Sequence, residues 1–201
     1  MTAVKNRRQE YKELTRAALL SAASEQFAGR GFSATSVDHI AAAARVSKGT
    51  VYHHFTDKAE LFEAVFRDRQ QRLLTDVARA SGRHRGPWAQ FEAALDAYLR
   101  STVADPIHRA LLREAPTALG TDRCRQIDEE LGLPVVLATL TALDEAGELS
   151  QPVTEILARV LFAALCEAAM AAGANPDPRA ALRDAAAALR TITAGLRRAR
   201  S

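Results

Sequence analysis

The sequence predicts an all-α fold. Three observations carry the prediction. Alanine, the best helix former, dominates and comes in runs such as 41–44 and 185–188. Apolar residues recur at three- and four-residue spacing over long stretches. No run of alternating β-branched residues is long enough to build a sheet. A chain of 201 residues, 48% hydrophobic and 25% charged, can bury one or two cores and is not of disordered composition.

Taken in order, residues 9–28 read as a first helix. Leu19, Ala23 and Phe27 fall on one face, and Gly29 with Gly31 ends it. Thr35 and Ser36 then supply an N-cap for a short helix carrying Val37, Ile40, Ala41 and Ala44. Arg45 and Val46 make a tight turn, and Ser47 caps a second short helix rooted by Val51 and Phe55. Asp57 caps a long helix with Leu61, Val65, Leu73 and Val77 on its apolar side. A basic connector, residues 82–87, leads through Pro87 into a helix bearing Phe91, Leu95, Tyr98 and Leu99. A shorter helix covers residues 107–115, and 116–121 read as a loop. The pattern over 123–146 predicts one helix kinked at Pro134, where a backbone donor is missing. After a break at 147–152, helices over 153–172 and 178–198 complete the chain.

This order divides the chain into an N-terminal helical unit over 1–56, a linking helix over 57–81 and a C-terminal helical domain over 82–201. The charge is divided too. Up to Arg69 there are 11 Lys and Arg against 8 Asp and Glu, which accounts for the whole net charge of +3. An excess at that end suits contact with phosphate, although a solvated surface would look similar. Cys124 and Cys166 fit no metal or redox spacing and read as ordinary half-buried residues. The charged N-terminus carries no signal-peptide core. The apolar stretch 160–174 is shorter than a bilayer span and is broken by Glu167. A cytoplasmic protein without a membrane segment is expected.

Two short helices joined by a three- or four-residue turn make a helix-turn-helix, whose second helix can enter the major groove of DNA. The helix over 47–54 leaves Lys48, Gly49, Thr50, Tyr52, His53 and His54 for its outward face. Small residues at its start allow close approach to base edges, while Tyr52, His54 and Lys58 can reach phosphate oxygens. Lys58 stands in a helix's first turn, an unfavourable place for a cation unless an anion meets it. His53, His54 and Asp57 do not read as a metal site, because adjacent helical side chains diverge by about 100°.

The stretch from Gly31-Phe32 through Thr35, Val37, Ile40, Ala41, Ala44, Arg45, Val46, Ser47, Lys48, Gly49, Thr50, Val51, Tyr52, His53, His54 and Phe55 to Lys58 and Leu61 resembles the TetR family of bacterial regulators. Leu19, Ala22, Ala23 and Phe27 also fit that family's first helix. The resemblance is detailed over the first third and extends beyond it only in size and helix order. It implies a three-helix DNA-binding domain, a ligand-binding and dimerisation domain, and repression of a palindromic double-stranded operator relieved by a small-molecule effector. Carried over by position, Lys48, Gly49, Thr50 and Tyr52 would read or approach bases, and Thr35, Ser36, Tyr52, His54 and Lys58 would hold phosphates. Arg45 departs from the glycine usual in the family's turn; in a left-handed conformation it costs about 1 kcal/mol and offers a further phosphate contact.

For the second domain, Trp88, Phe91, Tyr98, Phe162, Cys166 and Met170 are candidate walls of an apolar pocket, against the commoner fate of plain core. Arg109 and Arg113, with Glu114 and the acidic run Asp128 to Glu130, either orient a polar ligand or form surface pairs. Leu161, Ala164, Ala168 and Ala172, with Ala181, Ala185, Leu189 and Ile192, are the expected homodimer contacts on the last two helices. Lys5, Arg7, Arg8 and Lys12 form either an arm towards DNA or a solvated end; Arg197, Arg198 and Arg200 suit a helix C-terminus. No nucleophile–base constellation, paired carboxylates, phosphate loop, metal set or cofactor motif stands out, so neither catalysis nor a cofactor is expected. The rival readings are an all-helical enzyme that contains a helix-turn-helix, and a constitutive architectural DNA-binding protein.

Overall fold

The computed structural model describes residues 2–199. Ten α-helices run through them: α1 Thr2–Ala34, α2 Val37–Ala43, α3 Lys48–His54, α4 Lys58–Ser81, α5 Pro87–Ala104, α6 Pro106–Leu119, α7 Thr121–Leu131, α8 Leu133–Glu145, α9 Glu155–Ala174 and α10 Pro178–Ala194. No strand occurs among the described residues, and a lone antiparallel bridge pairs Leu149 with Arg197. The all-α expectation holds.

The helices divide into two compact units. The first holds the chain up to Arg69 together with Pro106–Cys124; the second holds Gln70–Asp105 and the chain from Arg125 onward. In the first, Leu19, Leu20, Ala23 and Phe27 of α1 are buried with Ile40 of α2, Val51 of α3 and Leu61, Phe62, Val65 and Phe66 of α4. α6 packs along α1, with Ala110, Leu111 and Ala115 buried. The rings of Phe27, Phe32 and Phe62 meet at 5.0–5.8 Å between centroids. Each buried Leu or Phe contributes about 1.5–3 kcal/mol, so this small unit is rooted mainly by aromatic and leucine burial.

The second unit is built on α5, α8, α9 and α10. Trp88, Phe91, Leu95 and Leu99 of α5 meet Leu133, Leu140 and Leu143 of α8, Leu161 and Leu165 of α9, and Leu189 of α10. Leu73 and Val77 from the second half of α4 pack with Ala97 of α5. The Leu149–Arg197 bridge, with Ser150 N–H donating to Leu196 and Arg198 N–H to Glu148, ties the end of α10 to the α8–α9 connection.

Four local expectations change. α1 continues past residue 28 and breaks at Gly31, whose φ of 79° lies in glycine's region. Residues 116–119 are helical: Pro116 sits in the last turn of α6, where it forfeits a single ladder bond. The 123–146 segment is two helices, α7 and α8, parted at Gly132; Pro134 lies in the first turn of α8, where its missing N–H is harmless. Gly132 is itself required, because a Cβ there would stand 2.5 Å from the Phe162 ring. Finally, α9 has 20 residues and a mean hydropathy of 1.8, so its length and composition would suffice for a membrane span. One stripe of it, Ala158, Leu161, Leu165, Ala169 and Ala172, is buried within the chain, so the helix packs by one face.

Candidate nucleic-acid interface

Two caps set the helix-turn-helix. Ser36 closes a capping box on α2: its Oγ accepts from His39 N–H at 3.1 Å, and its own N–H donates to His39 Nδ1. Ser47 caps α3, its Oγ accepting from Thr50 N–H at 3.1 Å and lying 2.9 Å from the Thr50 hydroxyl. Between them Arg45 adopts φ 56°, the one non-glycine residue with positive φ among those described. The turn is therefore left-handed at this position, with arginine in it.

α3 is rooted by Val51, with the C-cap Phe55 also buried, and turns Lys48, Gly49, Tyr52 and His53 to solvent. Tyr52 is 49% exposed, so its ring and hydroxyl are available to a partner. Gly49 has open space above it apart from Ser47 Oγ at 3.7 Å. Lys48 is paired with Asp38 of α2 at 2.9 Å, and that hydrogen bond raises its pKa above the usual lysine value. His54 is half-buried, and burial, with His53, Lys12 and Arg16 nearby, holds its imidazole below the usual histidine value. The Arg16 guanidinium lies 5.4 Å from the centre of the Phe55 ring. Arg16, which no sequence pattern singles out, thus adds a cation beside the end of α3. Arg7 and Lys12 are exposed; the side chains of Lys5 and Arg8, and Arg200 at the other end, lie outside the described residues.

Two expected phosphate ligands are placed differently. Thr35 is 1% exposed, and its hydroxyl donates to Gly31 O at 2.8 Å and to Gln26 O at 3.1 Å, so it secures the end of α1. Lys58 donates to Phe32 O at 2.8 Å and Thr35 O at 2.9 Å, with its ammonium 4.3 Å from the centre of the Phe32 ring. Two of its three N–H groups are engaged inside the protein. An ammonium on the carbonyls that end α1 resolves its awkward place at the start of α4. Ser36, half-buried, keeps its hydroxyl on α2.

The candidate ligand residues also separate. In the second unit a mostly apolar, partly open pocket of about 50 Å³ is lined by Phe91, Leu95, Tyr98, Val136, Leu161 and Phe162, among others. Tyr98 OH and Cys166 Sγ are 3.5 Å apart, and burial pushes the thiol up to about 11, which leaves it inert. Trp88 is not on the cavity wall: its indole N–H donates to Glu92, and Arg197 covers its ring. Met170 faces solvent, and Arg109 and Arg113 belong to α6 in the other unit. A second depression, about 350 Å³ between α5 and α10, is open, and its Asp96 is already paired with Arg100 and Arg190.

Of the expected dimer contacts, Leu161, Ala172 and Leu189 are 2–3% exposed and belong to the chain's own core. Ala164, Ala168 and Ala185 pack against that core, Ala181 is half-buried, and Ile192 stays open at 55%. The exposed apolar residues of α9 are instead Ile156 at 74%, Val160 at 60% and Met170 at 37%. Both stripes of α9 are apolar, so periodicity alone does not say which of them faces the chain's own core.

Residues 19–65 match the family model described as bacterial regulatory proteins, tetR family, and residues 88–196, more than half the chain, match the tetracyclin repressor-like C-terminal domain. The chain belongs to the TetR family. Among its relatives, the TetC protein of transposon Tn10 from Escherichia coli is 26% identical over 78% of this chain and 79% of its own length. The regulator SrpR of Pseudomonas putida is 40% identical, over 42% of this chain and 40% of its own length, so that likeness is confined to part of each protein. A TetR-family regulator from Pectobacterium atrosepticum superposes with a TM-score of 0.80 at 28% identity, covering 96% of this chain and 98% of that one. FadR of Bacillus subtilis, solved with stearoyl-CoA, shares the fold at TM-score 0.75 and 16% identity, over 90% of this chain and 98% of its own. As a TetR-family chain, the protein is a DNA-binding transcriptional regulator.

Proposed function

We propose that this TetR-family chain is a cytoplasmic, non-enzymatic repressor that binds a palindromic operator as a homodimer and leaves it when a small apolar molecule occupies the second unit. The observation that carries the reading is α3: a seven-residue helix, capped by Ser47 and rooted by Val51, that presents Lys48, Gly49, Tyr52 and His53 outward. A helix of that kind fits a major groove about 12 Å wide. Thr50, Tyr52 and Lys48 then read or approach bases, while Arg45, Ser36, His53 and His54 lie at the flanks for phosphate contact. Repression is supported by relatives such as the probable acrEF/envCD operon repressor of Escherichia coli, 33% identical over 49% of this chain and 46% of its own length.

The exposed Ile156, Val160, Met170 and Ile192 supply apolar area for a partner copy, whose twofold axis would place two α3 helices about 34–36 Å apart. A cavity of about 50 Å³ is below the range of roughly 300–1,000 Å³ that holds drug-sized ligands. Binding therefore requires α5, α8 and α9 to part, and that strain is the means by which occupancy alters the fold around it.

Selection of bound sequences from random duplex DNA tests the reading. The expected product is one inverted repeat, with affinity falling steeply with salt, at a log–log slope of roughly −5 or steeper for a dimer. Recovery of no consensus would overturn the specific-regulator reading.

A further inference from the structure

The junction between α1 and α2 is gripped from both sides by charged side chains. At Gly31 the backbone leaves helical geometry, with φ 79° and ψ 163°. The next peptide N–H, that of Phe32, donates to Glu114 Oε2 of α6 at 2.7 Å. The carbonyl of the same residue accepts from Lys58 of α4, which also holds Thr35 O. The Thr35 hydroxyl closes back on Gly31 O, and the following residue, Ser36, is the N-cap of α2. Glycine serves twice at position 31. It permits the positive φ, and a Cβ there would stand 3.2 Å from Glu114 Oε2, tighter than ordinary contact.

We propose that Glu114 is a positioning residue for DNA recognition: its carboxylate, borne on α6, holds the Phe32 N–H and so fixes the direction in which α2 and α3 leave α1. A charge-assisted hydrogen bond to a backbone N–H is about twice as strong as a neutral one. It also acts at a pivot, because α2 and α3 both follow the junction in sequence. The Gly31–Phe32 peptide is held by Glu114 and the next one, Phe32–Ser33, is fixed to α4 through Lys58, so loss of Glu114 frees the first peptide plane and leaves the second held. The result is a tilt of the recognition helix with the fold retained. The inference rests on the operator-binding reading above.

The test uses the full chain, Glu114→Ala and Glu114→Gln, and two duplexes: the one that the unmodified protein enriches from random DNA, and a scrambled duplex of equal length. Glu114→Ala is expected to lose tenfold or more in affinity for the enriched duplex while the scrambled duplex is bound within about threefold of the parent, since phosphate attraction needs no fine alignment. Glu114→Gln, which keeps an acceptor oxygen without the charge, is expected to recover most of the loss. Amide hydrogen exchange at Phe32 should accelerate in Glu114→Ala and stay near the parent rate in Glu114→Gln. Unchanged affinity for the enriched duplex in Glu114→Ala overturns the proposal. So does a loss on both duplexes in proportion to a lowered melting temperature, which marks a merely structural role. If the unmodified protein enriches no sequence, the operator reading itself fails, and the positioning role falls with it.

Discussion

Asp128 of α7 is half-buried, and the hydrogen bond from the Gln70 amide, at 3.1 Å, offsets only part of the desolvation. Burial pushes its carboxyl up to about 6 from 3.8. The folded chain thus holds this proton more tightly than the unfolded chain does. Its contribution to stability is intact below about pH 3.8 and is lost as the pH rises through about 6. Asp128→Asn keeps an acceptor for Gln70 and removes the buried charge. The expected gain is about 1–2 kcal/mol at pH 8, discounted for partial solvent exposure, and it should shrink steadily towards pH 4.5. Urea titrations showing an equal difference at both pH values would count against this account. Lys48 and Asp38 present the opposite case, a pair with both side chains more than half exposed. Such pairs contribute little to folding, about 0–1 kcal/mol. Asp38 does, however, compete with DNA for the Lys48 ammonium and repels phosphate. Asp38→Asn should leave the unfolding midpoint nearly unchanged and raise affinity for both specific and random duplexes severalfold at low salt. Equal or weaker binding would show that Lys48 does not meet the DNA.

The helix-turn-helix is an element whose parts are legible one residue at a time. Ser36 and Ser47 read as caps, and Val51 and Phe55 as anchors, since caps and anchors are local in sequence. Arg45 is the local flaw, with a side chain where the φ of 56° favours glycine. Arg45→Gly should raise the stability of the protein by about 0.5–1 kcal/mol, the relief of strain being partly offset by the greater freedom of glycine in the unfolded chain. If binding weakens in the same variant, arginine is retained there for phosphate contact. A lowered urea midpoint would refute the strain. The intrachain partners of Thr35 and Lys58 were not legible for the reverse reason. Their partners, the carbonyls at the end of α1, become neighbours only because Gly31 breaks that helix and α4 packs beside it.

At the scale of the whole molecule, the apolar face of α9 is the test of assembly. Ile156, 74% exposed, buries little surface within its own chain, so a charge there should hardly disturb the fold. In a dimer seated on α9 and α10, Ile156→Glu places unpaired charges in the apolar interface. Sedimentation of Ile156→Glu should therefore show monomer at micromolar concentration, with helical content retained. A variant that remains fully dimeric would move the interface elsewhere.

What the sequence determined by itself was the helical class, the order of elements, the cap chemistry and the outward face of α3. Each depends on residues within one or two turns of each other, where periodicity and capping act. Which apolar stripe of α9 faces inward, that α6 joins the first unit, that Gly132 admits the Phe162 ring and that Glu114 grips Phe32 were decided by tertiary structure alone. Glu114 and Phe32 lie 82 positions apart. No local pattern marks such a pair, because the contact exists only once the helices that carry its two ends have packed and excluded the water that would otherwise satisfy both groups.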